Sequence, residues 1–409
     1  MSDHAPIEMP PALRRRLGLP LLVLYGVGIT IGAGIYVLIG AAAAHAGPYT
    51  PWSFVLAAVV MAFTVGSYAE LATRFPVSAG EAAYVRNAFG WRTLSTITGL
   101  VTIAVGVVSS STVALGAAGY ISQFVDWPQW LIVVMVVAIL GAVACWGILE
   151  SVLLASVFTL IEAGGLVLVI GAALFTGLPF GSAFAAIPPL EIHVWSGIVF
   201  ASLLAFFAFI GFEDLANVVE EARMPHRTIP RAMVLTLLIS TLLYVLVAAI
   251  AVTAVSPERL AASPAPLSLV FREVAGLSPA AISAIAIVAT LNTILAQMTM
   301  AARVVYGMAR QGDLPGFAGK VHPRTATPVL ATLLIAAVVI ALALLVSLET
   351  LAESTSLITL LVFALVNLAL LQVRRRRTPA HGPHVTVPIW VPAAGLVTCL
   401  AMIAAGLLR

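Results

Sequence analysis

The sequence has very little charge, because only 9% of its 409 residues are Asp, Glu, Lys or Arg. Soluble domains carry about 25% of these residues. Apolar residues make up 61% of the chain, and its mean hydropathy is +1.10. A soluble chain of this length needs far more polar residues to cover its surface. The composition therefore excludes a soluble enzyme, a disordered protein and a nucleic-acid-binding protein, and it indicates a polytopic membrane protein.

Cysteine and metal-ligand patterns are also scarce. The two cysteines, Cys145 and Cys399, lie in apolar runs, so neither a disulfide framework nor a zinc spacing is available. The seven histidines are scattered through termini and loops without ligand spacing. The chain has no nucleophile–base pair or zinc motif of an intramembrane enzyme, and no filter-like motif of a channel. We therefore expect no catalytic residues, no metal and no cofactor.

Long apolar runs predict eleven transmembrane helices. A spanning helix needs about 20 mostly apolar residues, and in lipid its backbone groups must be satisfied within the helix. The runs do not alternate as barrel strands do. The predicted spans are 21–45, 52–73, 93–123, 129–147, 151–176, 195–219, 231–255, 279–310, 327–346, 353–373 and 385–408. The fold class is therefore all-α.

Lys and Arg predict the orientation, since short cytoplasmic loops carry an excess of both. Seventeen of the 20 basic residues fall in alternate loops on one side. These are Arg14–Arg16, Arg74, Arg86, Arg92, Arg223, Arg227, Arg231, Arg303, Arg310, Lys320, Arg324 and Arg374–Arg377. The opposite side has Arg259, Arg272 and Arg409. We predict a cytoplasmic amino terminus, an outside carboxyl terminus, and contact between Arg374–Arg377 and anionic lipid.

Two predicted spans contain interruptions. The first has four glycines between Gly26 and Gly34, for which close helix packing is the alternative explanation. The sixth has Gly211 followed by Glu213 and Asp214. The two features are about 179 residues apart, and each begins a set of five spans. Paired interruptions in inverted halves indicate the binding site of a secondary transporter, where helix N-termini face an anionic group.

Four segments resemble those of the amino acid–polyamine–organocation superfamily, specifically the bacterial amino acid permeases. The segments are Gly28–Gly40, Tyr68–Ala83, Phe206–Ala232 and Arg303–Pro328. The resemblance implies a LeuT-like 5+5 inverted repeat, alternating access, and amino acids or related amines as substrates. It divides the chain into a cytoplasmic segment (1–20), a first repeat (21–177), a second repeat (195–373), a basic loop (374–384) and one extra helix (385–409). Most members have a twelfth helix.

The resemblance also implies a substrate site. By motif position, the substrate carboxylate would meet Ile29, Gly32, Ala33 and Gly34. Ala33 stands where several members have Ser or Thr, so backbone amides would replace a hydroxyl contact. Phe207 would close over the substrate, with Ala208 beside it, and Ile210 would line the side-chain pocket. Phe206, Phe209 and Phe212 are expected to be packing residues.

Three acids fall inside predicted spans, where an ionisable group is costly and indicates function. Glu213 corresponds to a family position tied to proton coupling, although a structural hydrogen bond to the unwound backbone is the alternative. Glu162 lies midway along the fifth span, where some members place a lysine. It is expected to bind a proton or a cation, or to hold a neighbouring helix. Asp214 is expected to face the cytoplasmic half.

The sequence therefore predicts a secondary active amino acid permease of the cytoplasmic (inner) membrane, multi-pass and of bacterial type. Either proton symport or amino acid exchange fits the sequence. A polyamine or cationic amino acid exchanger is the alternative, in which Glu213 pairs with a substrate amine. The expected partners are an amino acid or amine, a proton or another coupling ion, and membrane lipids, but no nucleic acid. Oligomeric state has no signal in the sequence.

Overall fold

The computed structural model of the protein describes residues 17–76, 80–146, 152–185, 187–310, 312–322, 325, 327–380 and 382–408. In these ranges the regular structure is helical, apart from an isolated bridge between Leu17 and Ala222. The helices are α1 (Leu19–Ile31), α2 (Gly34–Ala46), α3 (Thr50–Arg74), α4 (Gly80–Phe89), α5 (Arg92–Ile121), α6 (Gln129–Trp146), α7 (Val152–Thr176), α8 (Ser182–Ala185), α9 (Ile192–Phe209), α10 (Pro225–Ala254), α11 (Pro257–Ala262), α12 (Pro266–Ala275), α13 (Ala280–Arg310), α14 (Val329–Leu345), α15 (Leu348–Arg375) and α16 (Trp390–Leu407).

The described helices are long and apolar enough for a multi-pass membrane protein. Nine helical segments satisfy the length and hydropathy of a membrane span, and one of them, Gly34–Arg74, contains both α2 and α3. Two further apolar helices, α1 and α14, are shorter. The predicted all-α polytopic fold is confirmed. The eleven crossings, the sides of the two termini and the division into two inverted repeats stay predictions.

The segments that connect the helices lie in two groups, one at each end of the bundle, and contacts within each group identify them. At one end Arg92 pairs with Asp313 at 2.9 Å, and the Arg376 guanidinium donates to the carbonyl of Ala88 at 3.1 Å. At the other end His45 contacts Glu349 at 2.6 Å. The first end gathers segments that the arginine distribution assigns to the cytoplasm, and we call it the basic end. Of the basic residues used for that assignment, Arg14–Arg16, Arg324 and Arg409 lie outside the described residues.

Three helices begin five or six residues away from their predicted starts, and one of them is α15, which begins at Leu348 instead of residue 353. Helix α10 begins at Pro225, six residues before the predicted span, because proline is well accommodated in a first helical turn. Helix α16 begins at Trp390, five residues after the predicted start. The preceding segment is held outside a helix, since Val385 N–H donates to Thr73 Oγ1 at 3.1 Å. Hydropathy alone does not detect such a backbone contact.

A buried carboxylate fixes this segment to the basic end. The side chain of Glu70, on α3, is fully buried and accepts from Arg74 Nε at 2.8 Å and from Arg374. It also accepts from the backbone N–H of Val387 at 2.9 Å. Arg374 donates in addition to the carbonyl of Val387. The predicted lipid contact is therefore wrong for Arg374, because its guanidinium is occupied inside the protein.

We expect Glu70→Ala to destabilise the protein strongly, because it leaves two largely buried guanidinium groups without their carboxylate. Loss of one partner from a buried ion pair costs about 3–5 kcal/mol. The apparent melting temperature in detergent should fall clearly. Glu191→Gln is the control, since Glu191 and its partner His193 are 57% and 79% exposed. Equal melting temperatures for both variants would contradict this role of Glu70.

Candidate functional site

The first interruption separates α1 from α2. Helix α1 ends at Ile31, and Gly32 adopts φ +29° and ψ −136°, a conformation that side chains with Cβ rarely adopt. Helix α2 begins at Gly34 after Ala33, and no side chain caps its N-terminus. The first N–H groups of a helix have no partner within it, and the helix dipole is positive there. The N–H of Gly32 itself donates to the carbonyl of Gly28 at 3.0 Å, so the amide donors that the interruption places inside the bundle are those that follow Gly32.

The second interruption ends α9 at Phe209. Ile210 is extended, Gly211 has φ +126°, and a 3₁₀ segment then runs from Phe212 to Ala216. The N–H of Gly211 donates to Glu213 Oε2 at 2.8 Å. The carboxylate of Glu213 therefore caps the unwound backbone. This contact is the structural alternative considered for Glu213, and it leaves a role in coupling untested.

The two interruptions lie directly against each other. A Cβ added to Gly34 would lie 2.5 Å from Cα of Ala208, and one added to Gly211 would lie 2.6 Å from Cγ2 of Ile29. Such distances are too short for any side chain, so α2 touches the backbone of α9 at this point. The structure thus brings Ile29, Gly34 and Ala208 together, as their predicted common site requires.

The other predicted site residues line the same region and are mostly buried. Ala33 and Phe207 are 1% and 5% exposed, and Ile210 is 8% exposed. A Cβ on Gly32 would lie 2.9 Å from Thr293 Oγ1, which brings α13 against the first interruption. The side chains of Ala33, Phe207 and Ile210 are apolar, and the polar groups beside them are those of the backbone and the hydroxyl of Thr293.

Three neighbouring phenylalanines are packing residues, as predicted. Phe206, Phe209 and Phe212 are at most 1% exposed. Phe206 and Phe212 make edge-on ring contacts with Phe363, and Phe209 makes one with Tyr244. The aromatic cluster anchors the interrupted helix α9 between α10 and α15.

Tyr244, on α10, is a site residue that the sequence did not reveal. Its hydroxyl lies 2.7 Å from the carbonyl of Thr30 and 2.8 Å from that of Ala208. These carbonyls belong to the last turns of α1 and α9, so one O–H is shared between both interrupted helices. A weak signal exists in the sequence: Thr236, Ser240 and Tyr244 recur every four residues, which places them on one face of α10.

Glu162, on α7, is fully buried next to the first interruption. Asn292, on α13, donates to its Oε1 at 3.1 Å, while Oε2 has no partner among the described residues. The hydroxyl of Tyr36, on α2, donates to the backbone carbonyl of Glu162 at 2.5 Å. The contact with Asn292 links α7 to α13. A buried carboxylate with one unsatisfied oxygen needs a proton, a cation or a ligand.

Glu213 and Asp214 lie nearer the basic end, beside a third acid. Tyr68 donates to Glu81 Oε1 at 2.9 Å, and Glu81 is close enough to interact electrostatically with Glu213 and Asp214. Glu81 belongs to α4, outside the spanning helices, and burial raises the pKa of its carboxyl. Asp214 accepts from Asn217 Nδ2 at 3.2 Å. These acids therefore form a group separate from Glu162.

The side of the site away from the basic end is covered by α2, α9 and α15. His45 Nε2 lies 2.6 Å from Glu349 Oε1, and its ring packs edge-on against Phe200 with centroids 4.3 Å apart. A Cβ on Gly197 would lie 2.4 Å from the carbonyl of His45, so α2 and α9 are in close backbone contact here as well. The site is closed on this side.

A multi-pass helical bundle with two interrupted helices in mutual contact at its centre is the architecture of a membrane transporter. Comparison with known families identifies it further: residues 17–408 match the model of the amino acid permease family, and the chain belongs to this family. It is an amino acid permease of the amino acid–polyamine–organocation superfamily.

Relatives match over nearly the whole chain. An uncharacterized transporter of Mycobacterium tuberculosis is 34% identical over 97% of this chain and 87% of its own length. The branched-chain amino acid permease BcaP of Bacillus subtilis is 31% identical over 96% of this chain and 88% of its own. The vacuolar cationic amino acid transporter 4 of Arabidopsis thaliana is 30% identical over 89% of this chain and 64% of its own.

We expect Tyr244→Phe to impair transport without unfolding the protein. The variant removes the hydroxyl shared by the Thr30 and Ala208 carbonyls, and one buried hydrogen bond is worth about 1–1.5 kcal/mol, or about tenfold in transport efficiency. Initial rates of amino acid uptake measure the effect. Tyr84→Phe is the matched control, because the buried Tyr84 hydroxyl has no partner among the described residues. Equal uptake by both variants would remove Tyr244 from the site.

Proposed function

We propose that this permease binds a neutral amino acid between the two interruptions and moves it by alternating access, coupled to a proton. The observation that carries the proposal is the direct contact of Gly34 with Ala208 and of Gly211 with Ile29. At this junction the free N–H groups of α2 lie close to the unwound backbone of α9. An amino acid needs both, since it carries a carboxylate and an ammonium group on one carbon.

The carboxylate docks on the N-terminal amides of α2, around Ala33 and Gly34, since the N–H of Gly32 already donates to the carbonyl of Gly28 at 3.0 Å. Anions bind at helix N-termini because donors and the positive dipole end point toward them. The ammonium group meets carbonyls of the last turns of α1 and α9. Tyr244 supports this arrangement because its hydroxyl donates to the carbonyls of Thr30 and Ala208 and so fixes their positions. Phe207 closes the site over the bound substrate.

The substrate side chain is proposed to be apolar. Ile29, Phe207 and Ile210 form apolar walls, and the nearest acid along the chain, Glu213, is occupied by the N–H of Gly211. The name of the relative BcaP, a branched-chain amino acid permease, agrees with an apolar substrate. A cationic substrate is the alternative, which the name of the Arabidopsis relative illustrates.

Glu162 is the proposed site of the coupling proton. Its Oε2 is buried without a partner beside the first interruption, and its only described side-chain partner is the uncharged Asn292. An ionised carboxylate in this place is costly, whereas a protonated one is not. Tyr36 connects the backbone at Glu162 to α2. Binding and release of a proton at Glu162 would therefore affect the position of α2, the helix that binds the substrate carboxylate.

Alternating access then requires the contact between His45 and Glu349 to open on the outside. This pair joins α2 to α15, and Phe200 of α9 packs on the same imidazole. A joint tilt of α2 and α9 away from α15 breaks the contact between His45 and Glu349 and keeps the ring contact between His45 and Phe200. The substrate is then exposed to the outside without any change at the basic end.

Uptake of tritiated leucine into proteoliposomes tests the proposed function. With an inside-alkaline pH gradient, leucine should accumulate above its external concentration, and an uncoupler should abolish the accumulation. Replacement of sodium by potassium should have no effect. Excess alanine should compete, whereas arginine and putrescine should not. Failure to accumulate or exchange any amino acid or amine would overturn the proposal, and competition only by arginine or putrescine would favour the cationic exchanger.

Glu162→Gln is expected to separate transport from coupling. Glutamine keeps an acceptor for Asn292 but cannot bind a proton, so leucine should still equilibrate down its gradient while gradient-driven accumulation is lost. Glu213→Gln is the matched variant, because its amide oxygen can still accept from Gly211. It should keep pH-dependent accumulation. The reverse result, with coupling lost only in Glu213→Gln, would assign the proton to Glu213.

A further inference from the structure

The outward face of α10 combines unpaired arginines with an apolar surface. Arg227 and Arg231 are four residues apart in the helix, and Arg223 lies just before it. All three side chains are exposed. None of them forms an ion pair in the part of the chain that the structure describes. The sequence of α10 contains no acidic residue either. Glu220 and Glu221 precede Arg223, but they form no ion pair with the three arginines in the described part of the chain, so the three guanidinium groups stay available at this end of α10.

An apolar surface continues this face toward the membrane interior. Val234, Leu235 and Leu238 follow Arg231 at helical spacing and are 46%, 38% and 59% exposed. The opposite face of α10 is buried in the bundle, with Met233 and Leu237 at 0% and 8% exposed. One face of the helix is thus turned outward along its length, basic at the start and apolar beyond.

A groove lies where the basic part meets the apolar part. It is lined by Pro230, Arg231, Val234 and Leu235, and its volume is about 460 Å³. Pro230 has no N–H to donate to the carbonyl of residue 226, so the helix is weakened locally at the groove. The groove therefore places an apolar surface directly beside the positively charged side chain of Arg231.

We infer that this face binds one anionic phospholipid of the leaflet at the basic end. The headgroup phosphate lies on Arg227 and Arg231, with Arg223 beside them, and an acyl chain lies in the groove along Val234 and Leu235. Basic residues at a membrane surface attract anionic lipids, while the apolar groove excludes a small soluble anion as the only occupant. This site on α10 is additional to the lipid contact predicted for Arg374–Arg377, of which Arg374 alone is occupied by Glu70.

Retention of phosphatidylglycerol by the purified full chain tests the inference. Native mass spectrometry in detergent counts bound lipids while phosphatidylglycerol or phosphatidylcholine is titrated in. The chain should retain one phosphatidylglycerol in preference to phosphatidylcholine. Each arginine contributes about fivefold to the affinity, so Arg227→Gln with Arg231→Gln should weaken retention about 25-fold. Absence of any preference for the anionic lipid would overturn the inference.

The control variant is Arg303→Gln with Arg310→Gln. It removes two exposed charges from the same end of the bundle but from α13. It should retain the lipid normally, and an equal loss in both double variants would show a general charge effect and overturn the site. Val234→Trp fills the groove and keeps the arginines, so it should also lose the lipid. Unchanged retention in Val234→Trp, or displacement of the lipid by millimolar inorganic phosphate, would show an anion site without the acyl groove and overturn the inference.

Discussion

The need to satisfy every backbone polar group in lipid governs this structure. Unwound backbone is tolerated at membrane depth only where protein or a ligand supplies partners. At the two interruptions the partners come from side chains: Tyr244 reaches the Thr30 and Ala208 carbonyls, and Glu213 accepts the N–H of Gly211. The N-terminus of α2 has no side-chain cap. The donors left over are therefore those that an amino acid carboxylate can use.

Close backbone contact makes this arrangement specific. Gly34 meets the backbone of Ala208, and Gly197 meets the carbonyl of His45, so α2 and α9 touch at the site and again at the outer end. Any Cβ at either position would separate the two helices. Both contacts join the same pair of helices. The glycines thus fix the distance between the N-terminus of α2 and the last turn of α9.

Much of this organisation could be predicted from sequence. Hydropathy identifies the helices. Four clustered glycines identify the first interruption, and a glycine followed by two acids identifies the second, because Gly32 and Gly211 adopt backbone conformations that other residues avoid. The role of Tyr244 could not be predicted, since its partners are 214 and 36 residues away along the chain. The start of α16 depends likewise on a distant contact, that of Val385 with Thr73. Periodicity reports local structure, whereas such hydrogen bonds depend on the tertiary fold.

Glu70 and Glu162 are both fully buried, but their surroundings differ, and this difference distinguishes a structural acid from a candidate functional one. Glu70 is neutralised by Arg74 and Arg374 and is saturated further by the N–H of Val387. With these partners Glu70 needs no bound proton or cation. Glu162 is equally buried, but Asn292 offers it an amide and no charge, and one of its oxygens is unsatisfied. A carboxylate that the protein leaves uncompensated must take its counter-charge from a mobile species. In the proposed function that species is a proton, and the hydrogen bond from Tyr36, on α2, to the backbone carbonyl of Glu162 connects it to the first interruption.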